Sequence, residues 1–205
     1  MRIIAGTLRG RRIEAPPGPS TRPMLDRVRQ ALFSTAGAWI EGARVLDLFA
    51  GSGSLGLEAL SRGAARARFV EKDRRTAQIL RRNVAELGLE DRVELVLGDA
   101  LDPGRWAPPA DLIFLDPPYA FLDDGRLRRR LFESLGELVN AVLDPRGILV
   151  FHAPRRRVIR AELAGVSVED ERSYGTNTLF YLRPKASARA SPDARRSLAG
   201  EESEG

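Results

Sequence analysis

Residues Ala43–Leu60 read ARVLDLFAGSGSLGLEAL, and their order sets the architecture. The apolar run from Ala43 to Phe49 has the composition of a buried strand. A glycine turn follows, Ala50-Gly51-Ser52-Gly53-Ser54-Leu55-Gly56, and then a helix through Leu57, Ala59 and Leu60. Strand, glycine turn and helix in that order open an α/β unit with a parallel sheet. Gly51 and Gly53 lack a Cβ, so the backbone there could approach a ligand closely. The turn has no GxxxxGK[ST] and is therefore not a P-loop. As GSGSLG it matches the dinucleotide fingerprint loosely, and GxGxxG alone is a weak signal.

Downstream, strand after strand ends in an acid. Asp47 lies at the end of the first, where it could orient a ligand's ammonium group or hold the turn through backbone amides. Glu71 closes the apolar stretch Ala67–Glu71, the place where a carboxylate takes the two hydroxyls of a ribose or merely faces solvent. Residues Asp73–Gly88 form a helix with Ala77, Leu80, Val84 and Leu87 on one face. The strand Val93–Leu97 then leads to Gly98, Asp99 and Ala100, so that Asp99 could accept the exocyclic amine of an adenine.

The fourth strand carries most of the chemistry. Residues Asp111–Tyr119 read DLIFLDPPY. Leu112 to Leu115 suit a strand buried on both faces, and the two prolines end its ladder because they lack an amide hydrogen. Asp116 is thereby held at the sheet's C-terminal edge, where ligands bind in open α/β sheets. Taken alone, DPPY reads equally well as an ordinary proline turn with Tyr119 as a core aromatic. Asp47, Glu71, Asp99 and Asp116 at successive strand ends favour one nucleoside-lined edge.

Composition narrows the chemistry. The chain has 205 residues and no cysteine, which suits one main domain with a small appendage and excludes thiolate nucleophiles and cysteine-ligated metals. Its one histidine, His152, argues against a histidine metal site or a Ser-His-Asp triad, so no metal is expected. No run is long enough to span a membrane and the N-terminus does not read as a secretory signal, so a cytoplasmic location is expected. The formal charge is +5, and the basic groups are almost all arginine. Arg2, Arg9, Arg11, Arg12, Arg22, Arg27 and Arg29 face only Glu14 and Asp26 in the first 30 residues, a cationic module suited to nucleic acid.

The remaining segments fit around this core. Arg2–Ala15 reads as a β-hairpin with arginines at its tip, and Pro16 to Ser20 as a stiff loop. A helix begins at about Leu25, burying Val28, Ala31, Leu32 and Thr35 or Ala36, with Arg22, Asp26, Arg27 and Arg29 on or near its exposed side. Ala120–Leu127 is expected to be a loop, Arg128–Leu143 a helix and Gly147–Phe151 a strand ending at His152, which is read as structural or supporting. Arg155, Arg156, Arg157 and Arg160 extend the positive surface or solvate a helix. Val166–Glu171 and Thr178–Leu182 are expected as an antiparallel edge, and the polar chain from Pro184 as a disordered tail.

The blocks RIIAGTLRGRR, RPMLDRVRQALF, VLDLFAGSGSLGLEALSRGA, FVEKD, DLIFLDPPY and YGTNTLFYL resemble the bacterial 16S ribosomal RNA guanine-N2 methyltransferases, from Arg2 to about Arg183. LDLFAGSG with DPPY is shared by a wider class of amino-group methyltransferases, and the N-terminal blocks narrow it. The chain departs from the family in having RPM where RPT is usual and Ser34 where asparagine often stands. The resemblance implies a Rossmann-like, class I S-adenosyl-L-methionine-dependent fold: a mostly parallel sheet with an antiparallel last strand and a small N-terminal extension. Its parts would be residues 1–24 as the RNA-holding extension, 25–183 as the methyltransferase domain and 184–205 as the tail.

For the site, the resemblance implies Asp47, Gly51 and Gly53 on the methionine side, Glu71 at the ribose, and Asp99 with Ala100 at the adenine, with Phe49, Lys72 and Asp116 also binding the cofactor. Asp116, Pro117, Pro118 and Tyr119 would present the target base. Arg2, Arg9, Arg11, Arg12, Arg22, Asp26, Arg27 and Arg29 would hold 16S rRNA in an assembling or assembled small subunit, with the enzyme a monomer. DNA adenine-N6 methylation, protein amide methylation and a non-catalytic RNA-binding role are the competing expectations.

Overall fold

A computed structural model describes residues 1–16, 26–106 and 109–185. Arg22, most of the expected proline loop and the expected tail beyond Lys185 lie outside the described residues. Seven strands form one sheet in the order β3-β2-β1-β4-β5-β7-β6. Their ranges are β1 Arg44–Leu48, β2 Arg66–Glu71, β3 Val93–Leu97, β4 Ala110–Leu115, β5 Leu143–Pro154, β6 Ser167–Tyr174 and β7 Asn177–Arg183. The first five are parallel, and β7 lies antiparallel between β5 and β6. The expected antiparallel last strand is thus present, inserted beside β5 and not at the rim.

Two layers of helix cover this sheet, as parallel strands buried on both faces require. On one face, α1 (Asp26–Ala36), α2 (Ser54–Ser61) and α3 (Arg74–Leu87) join the core through Val28, Leu32, Phe33, Leu57, Leu60, Leu80 and Val84. Asp73 caps α3 by accepting the Thr76 amide at 2.7 Å, and Gly88 ends it in the left-handed region. The other face is covered by α5 (Gly125–Glu137), whose Leu131 and Leu135 share a second core cluster with Ile113 and Leu115 of β4 and with Leu149 and Phe151 of β5.

The segment after Tyr119 differs from expectation. Ala120–Asp123 forms a short helix, α4, instead of a loop, and α5 starts at Gly125 because the Asp124 carboxylate accepts the amides of Arg126 and Leu127. The helix ends early in a π turn over Leu138–Val142, and β5 begins at Leu143. Pro145 does not prevent this, since the β4 pairing shifts register between Ala110 and Leu112.

Residues 1–16 form an antiparallel loop with one bridge, Arg2 to Arg12, supported by Ile3 N–H donating to the Arg11 carbonyl at 3.0 Å. Ile3 and Ile13 belong to the core cluster under α1–α3. The loop is fastened to α2 by Glu58, which is fully buried and accepts the Ile4 amide at 2.7 Å and the Ala5 amide at 3.0 Å. Arg29 corrects a second expectation. It is 0% exposed, with its guanidinium on the Arg2 carbonyl, the Met1 sulfur and the Asp26 carboxylate. Burial lowers its pKa. The side chain that charge alone placed at a nucleic-acid surface holds the first two residues against α1.

Candidate active site at the carboxyl edge of the sheet

Strand order reverses between β1 and β4, so their C-terminal ends diverge to leave a crevice. Alternation decides what enters it. Val45, Phe69, Phe114, Val150 and Leu179 point into the core under α1–α3, and the period of two puts Asp47, Glu71, Asp116, His152 and Asn177 on that same face. Sequence periodicity thus collects these polar groups at one edge.

On the β1 side, the backbone turns at Phe49, which has φ 58°, and at Gly51, also φ 58°. The Gly51 amide donates to Glu71 Oε2 at 2.8 Å, and the Asp73 amide donates to Oε1 at 2.7 Å. Glu71 therefore ties the glycine turn to the start of α3, and each of its oxygens retains a further acceptor position. Asp47 is 1% exposed and accepts the Gly56 amide at 2.9 Å. Burial pushes its carboxyl well above the ordinary range, against that hydrogen bond. Of its two expected roles, bracing the turn is the one made with protein partners.

The two glycines of the turn differ. A Cβ on Gly51 would have the Phe49 carbonyl at 4.0 Å as its nearest atom, so this position borders open space. A Cβ on Gly53 would meet Leu80 Cδ1 at 2.3 Å. Gly53, at φ 84° as the N-cap of α2, faces α3, so packing by itself accounts for its missing Cβ.

Beyond β3, Asp99 accepts the Leu101 amide at 3.0 Å and pairs with Arg130 of α5 at 2.8 Å. Burial works to raise its pKa, but these two donors outweigh it and hold the group below the ordinary carboxylate value. Ala100 is buried, and its carbonyl accepts the Trp106 indole N–H at 2.9 Å, so its methyl belongs to the core. Lys72 is exposed. Phe49 is half-buried and meets the Phe121 ring edge-on at 5.0 Å.

At the end of β4, Asp116 is partly exposed, Pro117 is buried and Tyr119 is 49% exposed. Tyr119 is therefore not a core aromatic. Asp116 Oδ1 lies 2.7 Å from His152 Nδ1, His152 Nε2 lies 2.9 Å from Asn177 Oδ1, and the Tyr119 hydroxyl donates to Asn177 Oδ1 at 3.1 Å. Asn177 is assigned no site role from sequence, although it lies in the YGTNTLFYL block that carries the family resemblance. Asn83 is a second residue that sequence reasoning misses. It is fully buried on α3 and donates to the carbonyls of Glu14 and Ser52 at 3.0 Å each, joining the N-terminal loop to the glycine turn.

The expected arginines divide in two. Arg2, Arg9, Arg11, Arg12 and Arg27 are exposed, as is Asp26. Leu8 N–H bonds the Ser61 hydroxyl at 3.0 Å, which places the tip of the N-terminal loop at the far end of α2 from Gly53. That separation is about 12 Å at about 1.5 Å per residue. Arg155, Arg156 and Arg157, by contrast, follow β5 directly and line an open recess of about 450 Å³ with Gly175 and Thr176, next to Asn177.

An edge with open space at Gly51, carboxylates at Glu71 and Asp99 and an acceptor at Asp116 suits an elongated ligand bearing a ribose and a base. Known proteins share this arrangement of strands. Ribosomal RNA small subunit methyltransferase D of Escherichia coli is 43% identical over 120 residues, 58% of this chain and 60% of that protein. The match thus spans less than two thirds of that relative. A solved Escherichia coli structure, yhhF, described as a candidate methyltransferase, superposes with TM-score 0.76 at 33% identity, covering 91% of this chain and 98% of that one. An RNA methyltransferase of Salinibacter ruber, solved with S-adenosyl-L-homocysteine, shares the fold at TM-score 0.57 and 20% identity, covering 83% and 97%. The sheet is that of the Rossmann-like class I methyltransferases. Because residues 1–183 match the family model described as Conserved hypothetical protein 95, the chain belongs to that family, of the ribosomal RNA small subunit methyltransferase D type.

Proposed function

We propose that this protein methylates the exocyclic N2 amine of a guanine in 16S rRNA of the small ribosomal subunit, using S-adenosyl-L-methionine. The observation that carries the reading is the placement of Asp116 and the exposed Tyr119 at the end of β4, across the crevice from the open side of Gly51. Bound S-adenosyl-L-methionine supplies an activated methyl group on a sulfonium. The cofactor's ribose hydroxyls would use the remaining acceptor positions of Glu71, its adenine would lie toward Asp99, and its methionine end would lie along Phe49 to Gly51. Ala100 and Gly53 shape this wall through packing.

An exocyclic base amine is a weak nucleophile because its lone pair is delocalised into the ring. Asp116 and the Pro117 carbonyl would accept the amine's two hydrogens and so direct the lone pair, a gain of positioning and electrostatics. Tyr119 would stack on the base, which must leave its duplex or loop stack to reach the crevice. Pro118 would set the direction of the chain between these groups. The relatives' names support rRNA as the polymer, and the resemblance of DPPY and the N-terminal blocks supports guanine N2. Arg155 to Arg157 would meet RNA close to the target, while Arg9 and Arg12 would meet it about one helix length away.

The test is methyl transfer from labelled cofactor to naked 16S rRNA, assembled small subunits, DNA and protein, followed by mapping of the labelled nucleotide. Label confined to one guanine N2 of the rRNA is expected. Asp116→Ala, which removes the acceptor, is expected to lower kcat by about 10²–10³ with cofactor affinity retained. Label on DNA adenine or on protein, or normal turnover by that variant, overturns the reading.

A further inference from the structure

We propose that His152 is a positioning residue for this reaction: the imidazole, carrying a proton on each nitrogen, holds the Asp116 carboxylate in one orientation and links it through Asn177 to Tyr119. The inference rests on Asp116 being the acceptor for the target amine, and it extends that reading to two residues behind it. His152 is 5% exposed, so its ring cannot be the group that meets a large polymer. It stands between two acceptors instead.

The geometry sets the protonation. One ring nitrogen is 2.7 Å from a carboxylate oxygen, and the other is 2.9 Å from an amide oxygen that already receives the Tyr119 hydroxyl. Oxygen acceptors on both sides call for an N–H on both nitrogens. Turning the Asn177 amide over would present its NH2 group and require a neutral ring, so the two arrangements differ by one measurable proton.

The surroundings agree with the charged form. Burial pulls the ring's pKa down, but the Asp116 hydrogen bond and charge, with Asn177, outweigh it and leave it above the ordinary 6.5. Asp116 is the charged group that faces the ring from β4, while β7 offers neutral Asn177 and Leu179. Asp47, farther along on β1, is kept toward its neutral form by burial. On α1, Arg29 is turned to Met1, Arg2 and Asp26.

This arrangement has a consequence at the reacting centre. With Oδ1 committed to His152, Oδ2 of Asp116 has no hydrogen bond to the described residues and is the oxygen left for a ligand. Because Asn177 receives both the His152 ring and the Tyr119 hydroxyl, the amine acceptor and the base-stacking ring are fixed relative to each other by one connected set of bonds. Loss of a proton from His152 removes its bond to Asn177 Oδ1 unless the amide turns over, and the turned amide no longer accepts the Tyr119 hydroxyl, so turnover should fall as pH rises through the ring's raised pKa.

His152 is the chain's only histidine, so 15N spectra of uniformly labelled protein show a single imidazole. The expected result is a ring protonated on both nitrogens with a midpoint above 6.5, falling in Asp116→Asn, where the Asp116 charge no longer opposes burial and Asn177 alone does. A neutral ring at about pH 6 overturns the proposal. In the transfer assay, His152→Gln is expected to lower kcat about 10-fold or more, since small misplacements near the reacting atoms have large effects. KM for cofactor and RNA should stay within about 2-fold, and the fall at high pH should vanish. Unchanged kcat, or equal loss in cofactor affinity, overturns it. Asn177→Val covers a His152→Gln protein that does not fold: midpoint and kcat should drop together, and an unchanged midpoint refutes the link. Normal turnover by Asp116→Ala, which removes the acceptor, would sink the amine-acceptor reading itself, whereas an inactive Asp116→Ala beside a fully active His152→Gln would sink this inference alone.

Discussion

Replacing Glu58 by alanine should separate the N-terminal loop from the rest of the fold. The carboxylate is fully buried and receives the amides of Ile4 and Ala5 and the Arg62 Nε, the last at 2.7 Å. Hydrogen bonds to a charged acceptor contribute about 1.5–3 kcal/mol each, and removing one partner of a buried ion pair costs about 3–5 kcal/mol. Arg62 keeps 19% of its side-chain surface in water and the two amides are only partly buried, so some of the loss is recovered by hydration. The net expectation is a destabilisation of about 3–5 kcal/mol, large against a total of about 5–15 kcal/mol for a domain.

Urea unfolding measures the total, and amide exchange at Ile4 and Ala5 locates it. Both amides should lose protection before the sheet does. Glu58→Gln has one acceptor oxygen for these three donors and should lose roughly half as much. A Glu58→Ala protein within about 0.5 kcal/mol of the parent, with Ile4 and Ala5 still protected, would refute the assignment of this carboxylate as the fastening of the loop.

Other expectations follow from single contacts. Asp47→Asn keeps an acceptor for Gly56 but cannot ionise. The parent's raised carboxyl pKa means that the folded state holds a proton the unfolded state has released, so its stability falls as pH rises from the unfolded pKa to the folded one. The variant should therefore be the more stable near neutral pH, with the difference vanishing below about pH 4 in paired denaturation curves. Gly53→Ala would drive a Cβ to 2.3 Å from Leu80 at φ 84°, costing about 2–5 kcal/mol from overpacking and left-handed backbone together, read as a drop in melting temperature. Tyr119→Ala should weaken RNA binding by about 1–3 kcal/mol in a binding titration while leaving cofactor affinity unchanged.

Much of this molecule is legible in order along the chain. Hydrophobic runs and helical spacing locate β1 through β4, α3 and the glycine turn to within a residue or two, because buried parallel strands and an amphipathic helix write their burial directly into composition. Strand ends carrying Asp47, Glu71, Asp99 and Asp116 follow from the same reading. The region after Tyr119 resists it, since Asp124 as a cap and a π turn at Leu138 to Val142 are local choices that periodicity does not mark.

Side-chain direction and partners across distant segments are settled only in three dimensions. Charge counting treats Arg29 as one more surface cation, yet the N-terminal loop closes over it and supplies a carbonyl and a sulfur. The GxG pattern treats Gly51 and Gly53 alike, yet α3 approaches only the second. A lone histidine reads as bland in sequence, and the antiparallel insertion of β7 beside β5 is what sets Asn177 on one side of His152 and Asp116 on the other. The sheet and the acids at its edge can be read from the chain alone, because burial and period are properties of a single segment. Which of those groups brace the protein and which remain open to a ligand emerges only on folding, because a hydrogen bond depends on two segments meeting.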